Sequence, residues 1–371
     1  MIERIAILGT GLIGGSLALA WQQHESNCTI VGHDQPDVLE KATARGAIDQ
    51  MAADPVTAVE AADLVVLATP IGTSLRLLDA ISDALPSDAI VTDVGSVKQP
   101  IMDQAAEVLP DDILFMGGHP MAGSEQTGID HADPLLFENA TYALCVPEDM
   151  GQDALDGPLA PAVHWITATG ARPLRLNAAQ HDQLVAQVSH LPQVLAIALV
   201  NTVAGDEASD DAPDLALQLA GGGFRDMTRI ASSSFDVWRD ILVGNERALH
   251  DALGRFRRTL RGLRNRLLED DLDALEDAFD HAREARDTIP RDAKGFLSPL
   301  ADVYVRAPDE PGVLHDLTGH LAEADLNVKD IELQTVRDGT GGTFRLAFAT
   351  SADADTAASC LANAGYDAWC P

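Results

Sequence analysis

With 371 residues, 46% of them apolar, the chain is long enough for two or three packed domains. Its formal charge of −33, from 58 acidic against 25 basic side chains, excludes the basic face that a duplex-binding protein needs; the acids are spread over every region, as on a surface adapted to concentrated intracellular salt. Four scattered cysteines (Cys28, Cys145, Cys360, Cys370) form no CxxC pair, so reduced thiols are expected, with no disulfide framework and no metal site.

The chain opens on MIERIAIL, a strand pattern with no charged-then-apolar leader, from which a cytoplasmic protein is expected. GTGLIGGSLALAW then turns into a helix, and CTIVGHD (28–34) is a second strand. ADLVVLATP (62–70) and AIVTDVG (89–95) are apolar runs suited to buried parallel strands, with helical patterns between them. ILFMGGHP (113–120), ATYALCVP (140–147) and ARPLRLN (171–177) continue the sheet, so residues 1–176 read as an α/β domain, a Rossmann-type doubly wound parallel sheet.

From Asn177 to about 295 every segment has helical period, and residues 290–299 (PRDAKGFLSP) form a proline- and glycine-bearing linker. The longest apolar run, 191–204, is interrupted by proline, glutamine and asparagine; it reads as a buried helix too short for a bilayer, so no membrane partner is expected. This all-helical region is too elongated to bury both its faces within one chain, which favours a homodimer. Residues 299–371 follow the order β-α-β-β-α-β of the ferredoxin-like split motif.

Gly9, Gly11 and Gly14 form GxGxxG between the first strand and the first helix, where the glycines permit a tight turn, approach of a pyrophosphate and close helix packing. Leu12 and Ile13, between the second and third glycines, belong to the same cofactor-binding turn. Asp34 closes the second strand twenty positions beyond Gly14, where a carboxylate accepts from ribose hydroxyls and repels a 2′-phosphate, favouring NAD. Thr69 and Pro70, at the end of a later strand, face the same crevice.

The segments DVGSVK (93–98) and GGHPMAG (117–123) also end strands, the place where an open α/β sheet binds ligands. His119 is therefore expected at the mouth of the nicotinamide pocket, as a base with near-neutral pKa; by spacing alone a packed structural histidine is the lesser alternative. His190, in SHLPQ, and Arg225, Asp226 and Arg229, in GGGFRDMTRIA, add a histidine and a pair of arginines suited to carboxylates, although such arginines in isolation are commonly solvated.

Taken together, ILGTGLIGGSLA, TDVGSVK, GGHPMAGSEQTG, SHLPQ and GGFRDMTRIASS followed by WRDI resemble, in order and spacing, the prephenate dehydrogenases of tyrosine biosynthesis. The C-terminal region resembles an ACT domain, most clearly in DEPGVLHDLTGHLAEADLNV. The resemblance implies NAD-dependent oxidative decarboxylation of prephenate, with His119 catalytic and Ser96 helping to hold the ring hydroxyl and the histidine. It assigns His190 and Arg229 to substrate, and Glu125, Asp226 and Arg225 to charged positions around the active-site entrance. It implies a homodimer, and an amino-acid effector such as tyrosine gripped by the DEPGVLH loop with His315 and Asn327. Gln193 stands where related sequences often have histidine, leaving open which substrate carboxylate is contacted at that corner.

Three rivals stand beside this reading. Arogenate or dual-specificity cyclohexadienyl dehydrogenases differ only in the substrate side chain. β-Hydroxyacid dehydrogenases use a helix lysine, and the helical region here holds only Lys294, near its end. A non-catalytic NAD- and amino-acid-sensing module would bind NADH without turnover.

Overall fold

A computed structural model of the chain describes residues 2–24, 28–123, 126–147, 150–205, 212–288, 300–337 and 340–371. They divide into two units, Met1–Asp280 and His281–Pro371. The linker expected at 290–299 lies outside the described residues.

The first unit begins with alternating strands and helices: β1 (Arg4–Leu8), α1 (Leu12–His24), β2 (Thr29–His33), α2 (Pro36–Ala44), β3 (Gln50–Met51), α3 (Pro55–Val59), β4 (Leu64–Leu67), α4 (Ile71–Ile81), β5 (Ile90–Asp93), α5 (Gln99–Val108), β6 (Leu114–Pro120), β7 (Thr141–Cys145), α6 (Ala160–Ala168) and β8 (Arg172–Leu176). They form one eight-stranded sheet in the order β3-β2-β1-β4-β5-β6-β7-β8. β1, β4 and β5 are buried over nearly their whole length because helices cover both faces, which is why their sequences are apolar runs without alternation. One face packs on α1 and α6, where Trp21 meets Trp165 edge-on at 5.6 Å and its indole N–H donates to the Trp165 carbonyl at 2.6 Å. The other face carries Leu8, Val65, Val91 and Phe115.

The sheet departs from the all-parallel expectation at one place. β7 runs antiparallel to β6, and β8 is parallel to β7. Among the described residues the connection from β6 to β7 holds a single 3-10 turn, Ile129–His131, and no crossover helix, and the chain comes back along its own strand. That connection is pinned to α1 and α2: the Asp133 amide donates to Ser16 Oγ, and Arg45 donates to the carbonyls of Ile129, Asp130 and Ala132.

The helical part follows with α7 (Ala178–Val185), α8 (Leu191–Ala204), α9 (Ala212–Gln218), α10 (Gly222–Thr228), α11 (Phe235–Gly244), α12 (Glu246–Leu268) and α13 (Leu272–Asp287). Asn177 and Gln180 cap α7 reciprocally, which sets the change of character at Asn177. Between α7 and α8 the helix widens into one π turn, Ala186–His190. Pro192, in the first turn of α8, lacks an N–H and crowds the carbonyls before it, and the wider turn accommodates this. The apolar run 191–204 is not the buried helix its composition suggested: within one chain α8 buries only Gln193 and Ala196. The continuous stretch Ala178–Ala204 has the length and apolarity of a membrane span, but it carries two buried histidines and a buried aspartate in its first half.

The second unit contains β9 (Ala301–Ala307), α14 (Val313–Glu323), β10 (Asp330–Arg337), β11 (Gly341–Phe348), α15 (Ser351–Asn363) and β12 (Asp367–Trp369). The antiparallel order β10-β11-β9-β12 is that of a ferredoxin-like fold. Leu317 and Leu321 of α14 and Ala354, Ala357 and Leu361 of α15 bury the side of the sheet that carries Val303, Val305, Leu346 and Phe348.

Candidate active site

The glycine-rich turn has the shape a dinucleotide requires. Gly9 sits at φ +102°, and a Cβ there would come within 2.5 Å of the Ala68 carbonyl oxygen. A Cβ on Gly14 would strike the Gly9 carbonyl oxygen at 2.0 Å, whereas one on Gly11 would meet nothing within 4 Å and so would project into the open side where a pyrophosphate lies. Leu12 and Ile13 form the first turn of α1. Asp34 is anchored at the end of β2, accepting from the Thr10 amide at 2.7 Å and the Gln35 amide at 2.7 Å. Across the crevice, Thr69 Oγ1 donates to Ser74 Oγ at 2.9 Å, which donates to the Thr69 carbonyl at 3.1 Å, closing the loop at Pro70 before α4. These residues fit NAD.

The Gly-Gly pair before His119 has a steric and a polar cause. β5 ends at Asp93, so the N–H and C=O of Gly118 that point toward it have no strand to pair with. The Asp93 carboxylate accepts from the Gly118 amide at 3.0 Å, and Lys98 Nζ donates to the Gly118 carbonyl at 2.7 Å and to Asp93. A Cβ on Gly118 would stand 2.4 Å from the Asp93 carbonyl oxygen, and one on Gly117 would stand 2.9 Å from Met102 Sδ. Only glycine lets β6 approach this buried ion pair, and His119 follows at the strand's C-terminal end.

His119 is almost fully buried and heads a chain of three side chains. Its Nδ1 lies 2.8 Å from His181 Nε2, and His181 Nδ1 lies 2.8 Å from Asp182 Oδ1. The Asp182 carboxylate also accepts from the Lys98 amide at 2.7 Å and the Gln99 amide at 2.9 Å, at the start of α5. A carboxylate only accepts, so His181 donates from Nδ1; with its Nε2 accepting, His119 donates from Nδ1 and keeps its lone pair on Nε2. Burial pushes the His119 imidazole well below its usual 6.5, and the neighbouring His181, Lys98 and His190 add to that shift.

His190, brought inward by the π turn, is also buried. The Asn245 amide nitrogen donates to the Asp182 carbonyl at 2.7 Å and to His190 Nδ1 at 3.2 Å, which leaves the proton of His190 on Nε2. That buried Nε2 has no partner among the described residues. Burial lowers the His190 pKa to about 4, so the ring is a neutral donor at physiological pH. Trp238 packs edge-on against it at 5.9 Å.

Of the residues expected from sequence, the structure thus gathers His119 and His190 in one buried cluster and sets Gly9, Gly11, Gly14, Asp34 and Thr69 around one crevice. Ser96 is half-buried in the turn between β5 and α5, without a direct hydrogen bond to His119. Arg225, Asp226 and Arg229 are exposed on α10 and the 3-10 turn after it; the Gln193 amide ties that turn to α8 by donating to the Ile230 carbonyl at 3.0 Å. Glu125 lies outside the described residues. In the second unit a cavity of about 250 Å³ is lined by Pro308, Asp309, Glu310, Gly312 and Phe344, while His315 and Asn327 are exposed and do not line it. No group of three or more metal-ligating side chains occurs among the described residues.

Sequence reasoning missed His181, Asp182, Asn245 and the Asp93–Lys98 pair. The available signal was a His-Asp dipeptide and a rare lysine placed where helical and strand patterns demand apolar side chains.

Known proteins agree with this architecture. Residues 17–160 match the family model "Prephenate dehydrogenase, nucleotide-binding domain", 177–281 match "Prephenate dehydrogenase, dimerization domain" and 301–363 match "ACT domain". Prephenate dehydrogenase of Bacillus subtilis is 34% identical over 370 residues, covering 99% of this chain and 98% of that protein. The crystal structure of prephenate dehydrogenase from A. aeolicus in complex with hydroxyphenyl propionate and NAD+ matches with a TM-score of 0.71 and 28% identity, covering 78% of this chain and 99% of that one. Synechocystis arogenate dehydrogenase matches with a TM-score of 0.68 and 32% identity, covering 77% of this chain and 100% of that one. The chain belongs to the prephenate dehydrogenase family, with an NAD-binding domain of Rossmann type and a C-terminal ACT domain.

Proposed function

We propose that the chain catalyses oxidative decarboxylation of prephenate to 4-hydroxyphenylpyruvate, and that His119 is its base. The observation that carries this reading is the hydrogen-bond chain from Asp182 through His181, which leaves Nε2 of a neutral, buried His119 as the open acceptor. NAD+, when bound at the glycine-rich turn, supplies the acceptor for the hydride. His119 Nε2 takes the proton of the ring hydroxyl while the carbinol carbon is oxidised. The resulting dienone accepts the electron pair released as the ring carboxylate leaves as CO2, which aromatises the ring. The phenolate so formed takes the proton back from His119, whose depressed pKa favours the return. Ser96, in the turn between β5 and α5, helps to hold the hydroxyl. His190 Nε2–H and Arg229 receive the side-chain carboxylate that remains, with Arg225, Glu125 and Asp226 at the entrance.

The same reading gives three domains, 1–176, 177–295 and 299–371, supported by the three separate family matches, each of which falls within one of them. A homodimer is supported by the apolar side chains that one chain leaves exposed on its helices, Leu184, Val188, Ile197, Leu260 and Leu267 among them, and by the family's dimerization model over 177–281. The cavity beside the DEPG loop is the place for an amino-acid effector such as tyrosine. A cytoplasmic, salt-adapted enzyme accounts for the charge of −33.

NADH formation measured with prephenate and with arogenate, at low and at multimolar salt, tests the function. Turnover of prephenate supports it, a preference for arogenate moves the substrate to its amino counterpart, and turnover of neither rejects it. Calorimetric titration of the full chain with tyrosine tests the effector, and absence of heat rejects it.

A further inference from the structure

We propose that Asp240 is a positioning residue that ties the cofactor-side loop 68–70 to the substrate-side helix α11. Pro70 precedes α4 in the N-cap position, and its side chain caps nothing. The Thr73 and Ser74 amides turn back to the Pro70 carbonyl, at 2.8 and 2.9 Å. The amide of Gly72 instead donates to Asp240 Oδ2 at 2.8 Å, a partner 168 residues further along the chain. A helix start left uncapped by its own sequence is thus completed by a carboxylate from the helical region, where negative charge is favourable. Position 72 is suited to this: a Cβ there would stand 3.0 Å from the same carboxylate oxygen.

The contact joins two walls. On the cofactor side, the loop that leads into α4 touches the glycine-rich turn, since the Ala68 carbonyl oxygen and the Thr69 methyl group lie 2.5 and 2.8 Å from where a Gly9 Cβ would be. On the substrate side, Trp238 lies two positions before Asp240 on α11 and meets His190 edge-on at 5.9 Å. Ile241 and Trp238 pack with Ile71, Val97 and Leu75 around the hydrogen bond, so α11 is seated on the loop by an apolar cluster and oriented on it by Asp240. One end of this connection is the crevice that fits NAD and the other is the histidine whose Nε2–H has no partner among the described residues. Asp240 acts by holding the loop against the turn and α11 against His190.

The inference rests on the NAD-dehydrogenase reading, so its test separates the two. NADH binding is followed by nucleotide fluorescence on the full chain, with and without 4-hydroxyphenylpyruvate, for wild type, Asp240→Ala and Asp240→Asn, beside steady-state kinetics and thermal unfolding of the cofactor-free proteins. In Asp240→Ala, which removes both acceptor and charge, NADH affinity is expected to fall about five- to tenfold, the equivalent of one helix cap. KM for NAD+ should rise by a similar factor while kcat changes less than about twofold, a split that a uniform loss of folded protein would not produce. Asp240→Asn keeps an acceptor oxygen and should recover part of the affinity. In both variants the effect of 4-hydroxyphenylpyruvate on NADH binding should shrink. NADH affinity within twofold of wild type, with that cross-effect intact, overturns the proposal; if Asp240→Ala does not fold, the same outcome in Asp240→Asn overturns it. Failure of wild type to bind NADH would overturn the dehydrogenase reading as well, a result distinct from variants that match wild type.

Discussion

His119 Nδ1 and His181 Nε2 stand 2.8 Å apart, with their rings edge-on at 5.0 Å between centroids and both side chains buried. The pair converts a fixed acceptor, Asp182, into a fixed tautomer of His119. His181→Phe keeps the buried aromatic volume but removes the acceptor for the His119 N–H. Its kcat should fall about 100-fold, with KM for either ligand changed only a few-fold, because an unheld imidazole loses part of the contribution of a positioned base. Steady-state kinetics on both substrates check this; an unaltered kcat would reduce His181 to packing.

Protonation of His119 removes the base, so activity depends on its neutral form. Burial, with His181, Lys98 and His190 nearby, holds its pKa well below 6.5, and the acid limb of kcat/KM should therefore lie below pH 6.5. A limb at or above 6.5 would contradict the buried setting. The same shift bears on stability. His119 and His190 are both depressed in the folded state, the latter to about 4, so the unfolded chain binds more protons as pH falls below 6.5. Their neutral burial is without cost above 6.5 and destabilises progressively on acidification. Urea unfolding between pH 4.5 and 7.5 should show this loss, and His119→Asn should make it shallower while lowering kcat by roughly 10²- to 10⁴-fold and sparing NADH binding.

The Asp93–Lys98 pair substitutes for a missing strand beside Gly118, and both side chains are essentially inaccessible to solvent. Lys98→Met keeps the stem and deletes the charge, stranding a buried carboxylate. Unfolding free energy should drop by about 3–5 kcal/mol, measured by denaturant titration. A loss under 1 kcal/mol would mean that water reaches Asp93.

Leu260 and Leu267, seven positions apart on α12, are 54% and 67% exposed in one chain. If a second copy covers them, Leu260→Glu with Leu267→Glu should yield monomers in sedimentation velocity while the circular dichroism of the helices is retained. A dimer that persists would place the interface elsewhere on the helical region.

Salt should stabilise this chain. At a charge of −33 the folded surface repels itself, and screening shortens that repulsion to about 3 Å at molar ionic strength. The thermal midpoint in molar potassium chloride should exceed that at 0.1 M by several degrees, and a flat dependence would remove the argument for a salt-adapted surface.

Local pattern was sufficient to set out the cofactor crevice and the order of domains. GxGxxG, the apolar runs of β1, β4 and β5, and Asp34 at the end of β2 each follow from constraints acting within a few residues, and such constraints are written in adjacent positions. The βαββαβ order of the second unit was legible for the same reason. The reversed β7 was not, because strand direction depends on what the connection packs against, and here that is Ser16 on α1 and Arg45 after α2. The histidine at position 119 could be named from its place after a strand, but its protonation state could not. That state is decided first by burial, with His181 and Lys98 adding to it, and Asp182 fixes the tautomer through His181; only folding brings these groups, some more than sixty positions away, into a dry interior where an imidazole must stay neutral. Sequence determined which side chains were available for chemistry; tertiary packing decided which nitrogen of His119 is bound to His181 and which keeps its lone pair, because hydrogen-bond direction and desolvation belong to the assembled neighbourhood and to no single segment.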